Sequence, residues 1–208
     1  MPSLHQLRAD HAPLLLIDAA STHIQVGCLA ATGEDRWACA NEESGIGIFC
    51  GVEALQCDLA DIRAFVFCDG PGSILGIRTA AMALRTWHML KPRPVYRYGS
   101  LELVAHALGQ PDTQIIADAR RETWHRYRLG GRLERIAANE LSGHLVMPAG
   151  FRHWSPLPKD VTETPYTLAA LLPAIENAAI FTETDVLDAF LHEEPSYKTW
   201  TPQIHRAP

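Results

Sequence analysis

Nowhere in this 208-residue chain does an apolar run approach the roughly 20 residues that a membrane-spanning helix needs. Met1 to Pro13 is polar and lacks the apolar stretch of a signal peptide, so a cytoplasmic protein with no membrane partner is expected. Basic charge is scarce: 18 Lys and Arg against 24 Asp and Glu give a formal net charge of −6, with both signs spread along the chain. That excludes a basic stripe for unspecific nucleic-acid binding; any RNA contact would rest on a partner. The five cysteines, Cys28, Cys39, Cys50, Cys57 and Cys68, are odd in number and contain no CxxC pair. No disulfide ladder is readable, and free thiols acting as small core residues are expected. None of the ten histidines has another four residues away, and HExxH is absent, so neither a metal site nor a metallopeptidase is expected. What is present is an apolar fraction of 47%. It is enough for a real core, in one compact body or two small lobes, and it excludes disorder and a coiled coil.

The most informative stretch is Asp69-Gly70-Pro71-Gly72-Ser73-Ile74-Leu75-Gly76-Ile77-Arg78. It follows Ala64 to Cys68, a short run suited to a buried parallel strand. Gly70 and Gly72 supply unusual dihedrals, Pro71 takes Gly70 out of the helical region, and Ser73 is placed to cap a helix from Ile74 to Leu90. Free amides at such a helix start can bind a phosphate or carboxylate; equally, the glycines can simply turn the chain. No Lys follows them, so this is not a P-loop, and the spacing is not that of a dinucleotide fingerprint.

Around this turn the pattern reads as strand Leu14–Asp18, strand Thr22–Ala30 and strand Arg36–Ala40, an antiparallel meander like the start of an RNase H-like lobe. Ile46 to Gln56 is a weak helix because Gly45, Gly47 and Gly51 lie in or beside it, each costing about 1 kcal/mol inside a helix. Pro94–Tyr98 reads as a strand and Ser100–Leu108 as a helix capped by Ser100. A second pass follows: strands Gln114–Asp118, Thr123–Leu129 and Arg132–Ala137, with a hairpin at Gly130-Gly131. Pro148 to Pro165 reads as surface loop, Thr167–Asn177 as helix, Ala178–Thr182 as strand and Asp185–His192 as helix.

Asp18, Ser21 and Thr22 put an acid and two hydroxyls at a strand turn. Asp18 can hold a metal ion through water while the hydroxyls bond phosphate oxygens, or the side chains can bond only the turn backbone. Together with Leu16-Ile17-Asp18-Ala19-Ala20-Ser21, the glycine-rich stretch, Gly99-Ser100-Leu101 and Asp118-Ala119-Arg120-Arg121-Glu122 occur in the order and spacing of the TsaB (YeaZ) family. The resemblance covers Leu14 to about Leu129; beyond it only Pro195-Ser196-Tyr197-Lys198 looks like the family's closing segment. It implies two RNase H-like lobes of the actin, sugar kinase and heat-shock ATPase superfamily, an α/β fold with a reduced second lobe. Residues 1–13 would be an N-terminal extension, 14–110 the first lobe and 111–208 the second.

The resemblance also implies a role in tRNA modification: a non-catalytic scaffold or activator of a TsaD-type synthase, working with the small ATPase TsaE to make threonylcarbamoyladenosine. tRNA would be met only through that complex, and the protein alone would form a homodimer. No cofactor would be required, with room for ATP or ADP at an interface. In the family the helix after the glycine-rich turn, with the helix before the preceding strand, meets the same pair in a partner. Here Ile77, Ala81, Leu84, Trp87 and His88 would lie at that interface, although helix faces apolar nearly all round can equally pack within the chain. Two departures stand out. Glu43-Ser44-Gly45-Ile46-Gly47-Ile48-Phe49 replaces the usual leucine-rich start of the first helix. Ser73-Ile74-Leu75-Gly76 replaces Ser-Phe-Thr-Gly, removing a hydroxyl and making nucleotide binding less expected.

Candidate ligand-binding residues are therefore Asp18, Ser21, Gly72, Ser73, Arg78 and Asp118. Arg78 can meet a carboxylate, helix carbonyls or phosphate; Asp118 is expected to be structural at the lobe junction. Two alternatives stand beside the scaffold: a small actin-like phosphotransferase or nucleotide hydrolase using Asp18, the Gly72-Ser73 turn and Asp118, and a divergent homodimeric paralogue that has lost the synthase.

Overall fold

A computed structural model describes residues 1–190. Helix α1 (Leu4–His11) precedes a meander of β1 (Leu14–Asp18), β2 (Ile24–Leu29) and β3 (Arg36–Ala40). Helix α2 (Ser44–Ala54), β4 (Ala64–Gly70), α3 (Ile74–Leu90), β5 (Val95–Gly99) and α4 (Ser100–Leu108) complete the first lobe. β1 pairs antiparallel with β2, β2 antiparallel with β3, and β4 runs parallel to both β1 and β5. Because side chains alternate across a strand, Leu15 and Ile17 pack with Phe65, Phe67, Val26 and the helices α2 and α3. Leu14, Leu16, Val66 and Tyr98 pack on the opposite face with α1, α4 and the second lobe. Burial on both faces explains why these strands read as unbroken apolar runs.

The second lobe repeats the connectivity with β6 (Thr113–Asp118), β7 (Thr123–Arg128), β8 (Glu134–Ala137), β9 (His144–Pro148) and β10 (Val161–Thr164). Two antiparallel pairings are again followed by two parallel ones. Where the first lobe inserts α2 and α3, the second has a single 3-10 turn (Ala138–Glu140) and the loop 149–160. Helix α5 (Leu168–Ala174) packs on α4, which also lies against β6 and β7, so α4 is shared by both lobes.

Several expectations are corrected. Residues 1–13 are no mere extension: Ser3 and Gln6 form a capping box, Leu4 and Leu7 are buried, and Arg8 holds Asp35 through two 2.7 Å hydrogen bonds. The boundary near residue 110 is crossed, since β11 (Thr182–Glu183) returns to the first sheet and pairs antiparallel with β5. Within the expected loop Pro148–Pro165 lies β10, and β9 ends at its start. Segment 185–190 is not helical; the rest of that expected helix, and Pro195-Ser196-Tyr197-Lys198, lie outside the described residues. Ser100 is the first helical residue rather than the cap, and its hydroxyl donates to the Pro71 carbonyl at 2.5 Å. Helix α2 forms despite its glycines because two of them face the sheet: a Cβ at Gly47 would stand 2.5 Å from Ile24 Cδ1, and one at Gly51 2.7 Å from Val26 Cγ2.

Candidate functional site

The glycine-rich turn forms as expected, with Ser73 accepting from the Gly76 N–H at 3.3 Å to cap α3. Gly70 has φ +125°, a conformation that favours glycine. Gly72 and Gly76 serve close approach: an added Cβ would meet the Ala20 carbonyl oxygen at 2.5 Å and the Ala19 carbonyl oxygen at 2.2 Å. The Ser73 N–H donates to the Ala20 carbonyl at 2.7 Å. The chain's own β1–β2 turn therefore occupies the concave side of the glycine turn, and the Ser73 and Gly76 amides that an anion would use already have acceptors.

Asp18 sits at the end of β1 and is fully buried between the lobes. Its Oδ1 accepts from the Ala20 N–H at 2.9 Å, and its Oδ2 accepts from the hydroxyls of Tyr98 and Tyr166, each at 2.6 Å. Burial pushes its carboxyl above the ordinary aspartate range, against the pull of the two tyrosines. Ser21 bonds its own turn, donating to the His23 carbonyl at 2.9 Å and accepting from the His23 N–H at 3.1 Å. The Thr22 N–H donates to the Gly150 carbonyl at 2.9 Å, bringing loop 149–160 of the second lobe onto the turn. Gln25 adds two interlobe bonds, donating to the Tyr166 carbonyl at 2.9 Å and accepting from the Leu168 N–H at 2.8 Å.

Asp118, at the matching end of β6, grips that same loop. Its carboxylate accepts from the N–H groups of Trp154, Ser155 (2.7 Å) and Arg120 (2.5 Å) and from the Ser155 hydroxyl (3.2 Å). Burial alone would raise its carboxyl, but these donors hold it below the usual range. The Arg120 guanidinium lies 4.3 Å from the Trp154 ring centroid. Arg78 forms a half-exposed pair with Asp188, Nε to Oδ1 at 3.0 Å. The sequence candidates thus divide: Asp18, Ser21, Gly72 and Ser73 converge on one closed junction, Asp118 lies across it on the loop it holds, and Arg78 stands apart on the surface. Tyr98, Tyr166 and Gln25 are the partners that sequence reading missed. Nothing in the spacing marks them, because β5 and the segment before α5 meet β1 only through the fold. Among the described residues no group of three or more His, Cys, Asp or Glu could hold a metal ion, and no helix is long and apolar enough to cross a membrane.

The interface candidates on α3 are corrected by burial. Ile77, Ala81 and Leu84 are at most 1% exposed and pack inside the first lobe. Trp87 is half-buried between Phe49 and Phe65, and His88 Nδ1 lies 2.9 Å from the Arg93 carbonyl. The outward face instead carries Leu75 (75% exposed), Met82 (55%) and Met89 (75%) at seven-residue intervals, one stripe along the helix. Ile46 and Phe49 are exposed on the adjoining α2. The helix has the expected length and an apolar outer face, but the side chains that form that face differ from those expected.

No protein-family model matches the chain, and no curated protein matches it. Among solved structures, an uncharacterized protein with similarity to the peptidase YeaZ, from Pseudomonas aeruginosa, is similar to this chain with a TM-score of 0.61 at 17% identity. The match covers 86% of this chain and 99% of that one. YeaZ from Pseudomonas aeruginosa gives a TM-score of 0.54 at 19% identity over 65% of this chain and 75% of that one. The chain has the two-lobed, RNase H-like and actin-like fold of these YeaZ-like structures.

Proposed function

We propose that this chain is a divergent member of the YeaZ (TsaB) family that works by binding rather than by catalysis, as a scaffold or activator of a TsaD-type synthase in tRNA threonylcarbamoyladenosine modification. The observation that carries this reading is the apolar stripe Leu75, Met82 and Met89 beside Ile46 and Phe49, left uncovered on two adjoining helices. Large apolar side chains left exposed along a helix in this way mark an interaction site. The closed junction supports the non-catalytic half of the reading: the Ala20 carbonyl fills the glycine turn, and Asp18 is enclosed by two tyrosines. For the actin-like phosphotransferase alternative, both would have to open.

In this reading the protein is cytoplasmic, needs no cofactor of its own, and meets tRNA and a TsaE-type ATPase only through the assembled complex, with ATP or ADP bound at an interface if at all. The same stripe would serve a homodimer in the absence of the synthase. Light scattering coupled to size exclusion tests this with the protein alone and mixed with the TsaD-type protein of its own organism. A mixed complex is expected, lost in Met82→Glu and kept in Arg85→Glu, a charge change that leaves the apolar stripe intact. A homodimer that ignores the synthase would leave the divergent paralogue standing. A monomer unaffected by either substitution would overturn the interface.

A further inference from the structure

A cavity between the lobes is not absorbed by that reading. A cleft of about 260 Å³ opens between the lobes at the carboxyl ends of β4 and β5; Tyr98, whose hydroxyl bonds Asp18, is among the residues that border it. Open α/β sheets bind ligands at this end of their parallel strands. The first lobe contributes Asp69, Arg97 and Glu102, the last on the opening turn of α4; the second contributes Tyr127 and the Arg132 side of the β7–β8 hairpin. Half-buried Leu133 gives it apolar surface, while Leu101 and Ile180 border it but are at most 1% exposed.

The polar groups are only partly used. Arg97 spends one nitrogen on Asp69, at 2.5 Å, and its side chain remains 41% exposed. Glu102 Oε1 accepts from the Tyr127 hydroxyl at 3.0 Å, which leaves Oε2 as an acceptor. Arg132 is exposed on the hairpin and carries no hydrogen bond among the described residues, with Glu134 as a charged neighbour. Two carboxylates at the cleft disfavour a polyanion such as a nucleotide, and two guanidiniums disfavour a simple cation. One spare acceptor, the free guanidinium fork of Arg132 and the unspent nitrogens of the Asp69-paired Arg97 suit a ligand bearing one charge of each sign. The volume falls below the roughly 300–1,000 Å³ of drug-sized sites, so the ligand is metabolite-sized.

We propose that this cleft binds a small zwitterion of the α-amino acid class, with its carboxylate on Arg132 and the unspent nitrogens of Arg97, its ammonium on Glu102 and an apolar side chain against Leu133. Because the walls belong to different lobes, the ligand also clamps them together and raises the unfolding temperature by mass action. The inference does not depend on the helix surface above.

Titration calorimetry on the full chain tests it with L-leucine and L-phenylalanine, alongside leucinamide (no carboxylate), 4-methylvalerate (no ammonium) and ATP. Saturable binding of at least one amino acid is expected, about tenfold weaker or worse for either truncated analogue, since each loses a charge-assisted bond. Arg132→Gln and Glu102→Gln should each weaken binding by about as much, while circular dichroism shows both free proteins folded and each ligand-induced melting shift is read against its own free protein; in the second variant the amide oxygen can still accept from the Tyr127 hydroxyl. Three results would overturn the proposal: no amino acid binding at millimolar concentration, equal binding of 4-methylvalerate, or binding indifferent to both substitutions. Preference for ATP would do the same and return the cleft to the nucleotide reading.

Discussion

The two lobes share one strand connectivity and differ in what lies between the strands. In the first, α2 and α3 cover one face of the sheet and turn an apolar stripe outward. In the second the corresponding connections are a 3-10 turn and the loop 149–160, and that loop is spent on closing the junction. The acids at the ends of β1 and β6 divide in the same way: Asp18 is enclosed by tyrosines of both lobes, while Asp118 stays at the surface and fastens its own loop. A repeated topology has thus been put to two uses, an outward apolar face in one lobe and closure of the junction in the other.

The sharpest way to break this comparison is a methyl group. Gly76→Ala would place a Cβ 2.2 Å from the Ala19 carbonyl oxygen, where a flexible side chain cannot move aside because the obstacle is backbone. We expect a loss of about 2–4 kcal/mol in urea unfolding. Gly130→Ala, at the hairpin tip of the second lobe, meets nothing within 4 Å and pays only for its φ of +74°, about 1 kcal/mol. Equal losses would mean that the α3 start does not rest on the β1–β2 turn.

Next in size is the pair of acids, which should respond to pH with opposite signs. Folding raises the carboxyl of Asp18, so the native state binds the proton more tightly than the unfolded one. Its contribution is greatest below the unfolded value near 3.9 and declines as pH rises through the folded value. Folding lowers the carboxyl of Asp118, so its contribution is present above the unfolded value and is lost as pH falls through the folded one. Asp18→Asn turns an NH2 group either to the two phenols, which share one carboxylate oxygen, or to the Ala20 N–H, so buried donors lose an acceptor at a cost of about 1–3 kcal/mol, and it should flatten the decline on the alkaline side of that window. Asp118→Asn gives up charge-assisted bonds to loop 149–160, about 1–2 kcal/mol, and should flatten the acid limb. Urea midpoints between about pH 3 and pH 7 read both slopes; slopes of the same sign would show that the two acids do not play the divergent roles described.

Much of the architecture was legible in local pattern. The strands Leu14–Asp18 and Arg36–Ala40 and the helices Ile74–Leu90 and Ser100–Leu108 stand where apolar runs and the Ser73 cap put them. Helix α1 was not legible because its signal is a capping box with only two buried leucines. β10 was hidden because three of its four residues, Thr162, Glu163 and Thr164, are polar at an edge where only one neighbour pairs. The site was legible as a set of residue types but not as an arrangement. Asp18 and the glycine turn could be named from spacing, whereas Tyr98, Tyr166 and the Ala20 carbonyl that satisfy them come from tertiary approach. The interface residues show a related limit: an α3 apolar nearly all round tells nothing about which side meets the sheet, and burial alone separates Leu84 from Met82.

The smallest effect is expected at Arg78, the candidate farthest from the closed junction in character. Its bond to Asp188 joins two side chains that are 47% and 50% exposed, and pairs of that kind contribute about 0–1 kcal/mol because solvent and salt screen them. Arg78→Ala should therefore shift the urea midpoint little, and the shift should vanish in high salt. The position matters more for the surface, since Arg78 and Arg85 lie seven residues apart on α3, beside the stripe of Leu75, Met82 and Met89 with the same spacing. Charge flanking an apolar stripe governs how fast a partner docks more than how tightly it holds. If α3 is a docking face, Arg78→Ala should slow association with the synthase, by an amount that depends on ionic strength, and leave the dissociation rate nearly unchanged. Surface plasmon resonance at two salt concentrations separates the two rates, and an effect confined to dissociation would move Arg78 from the rim of that face into its centre.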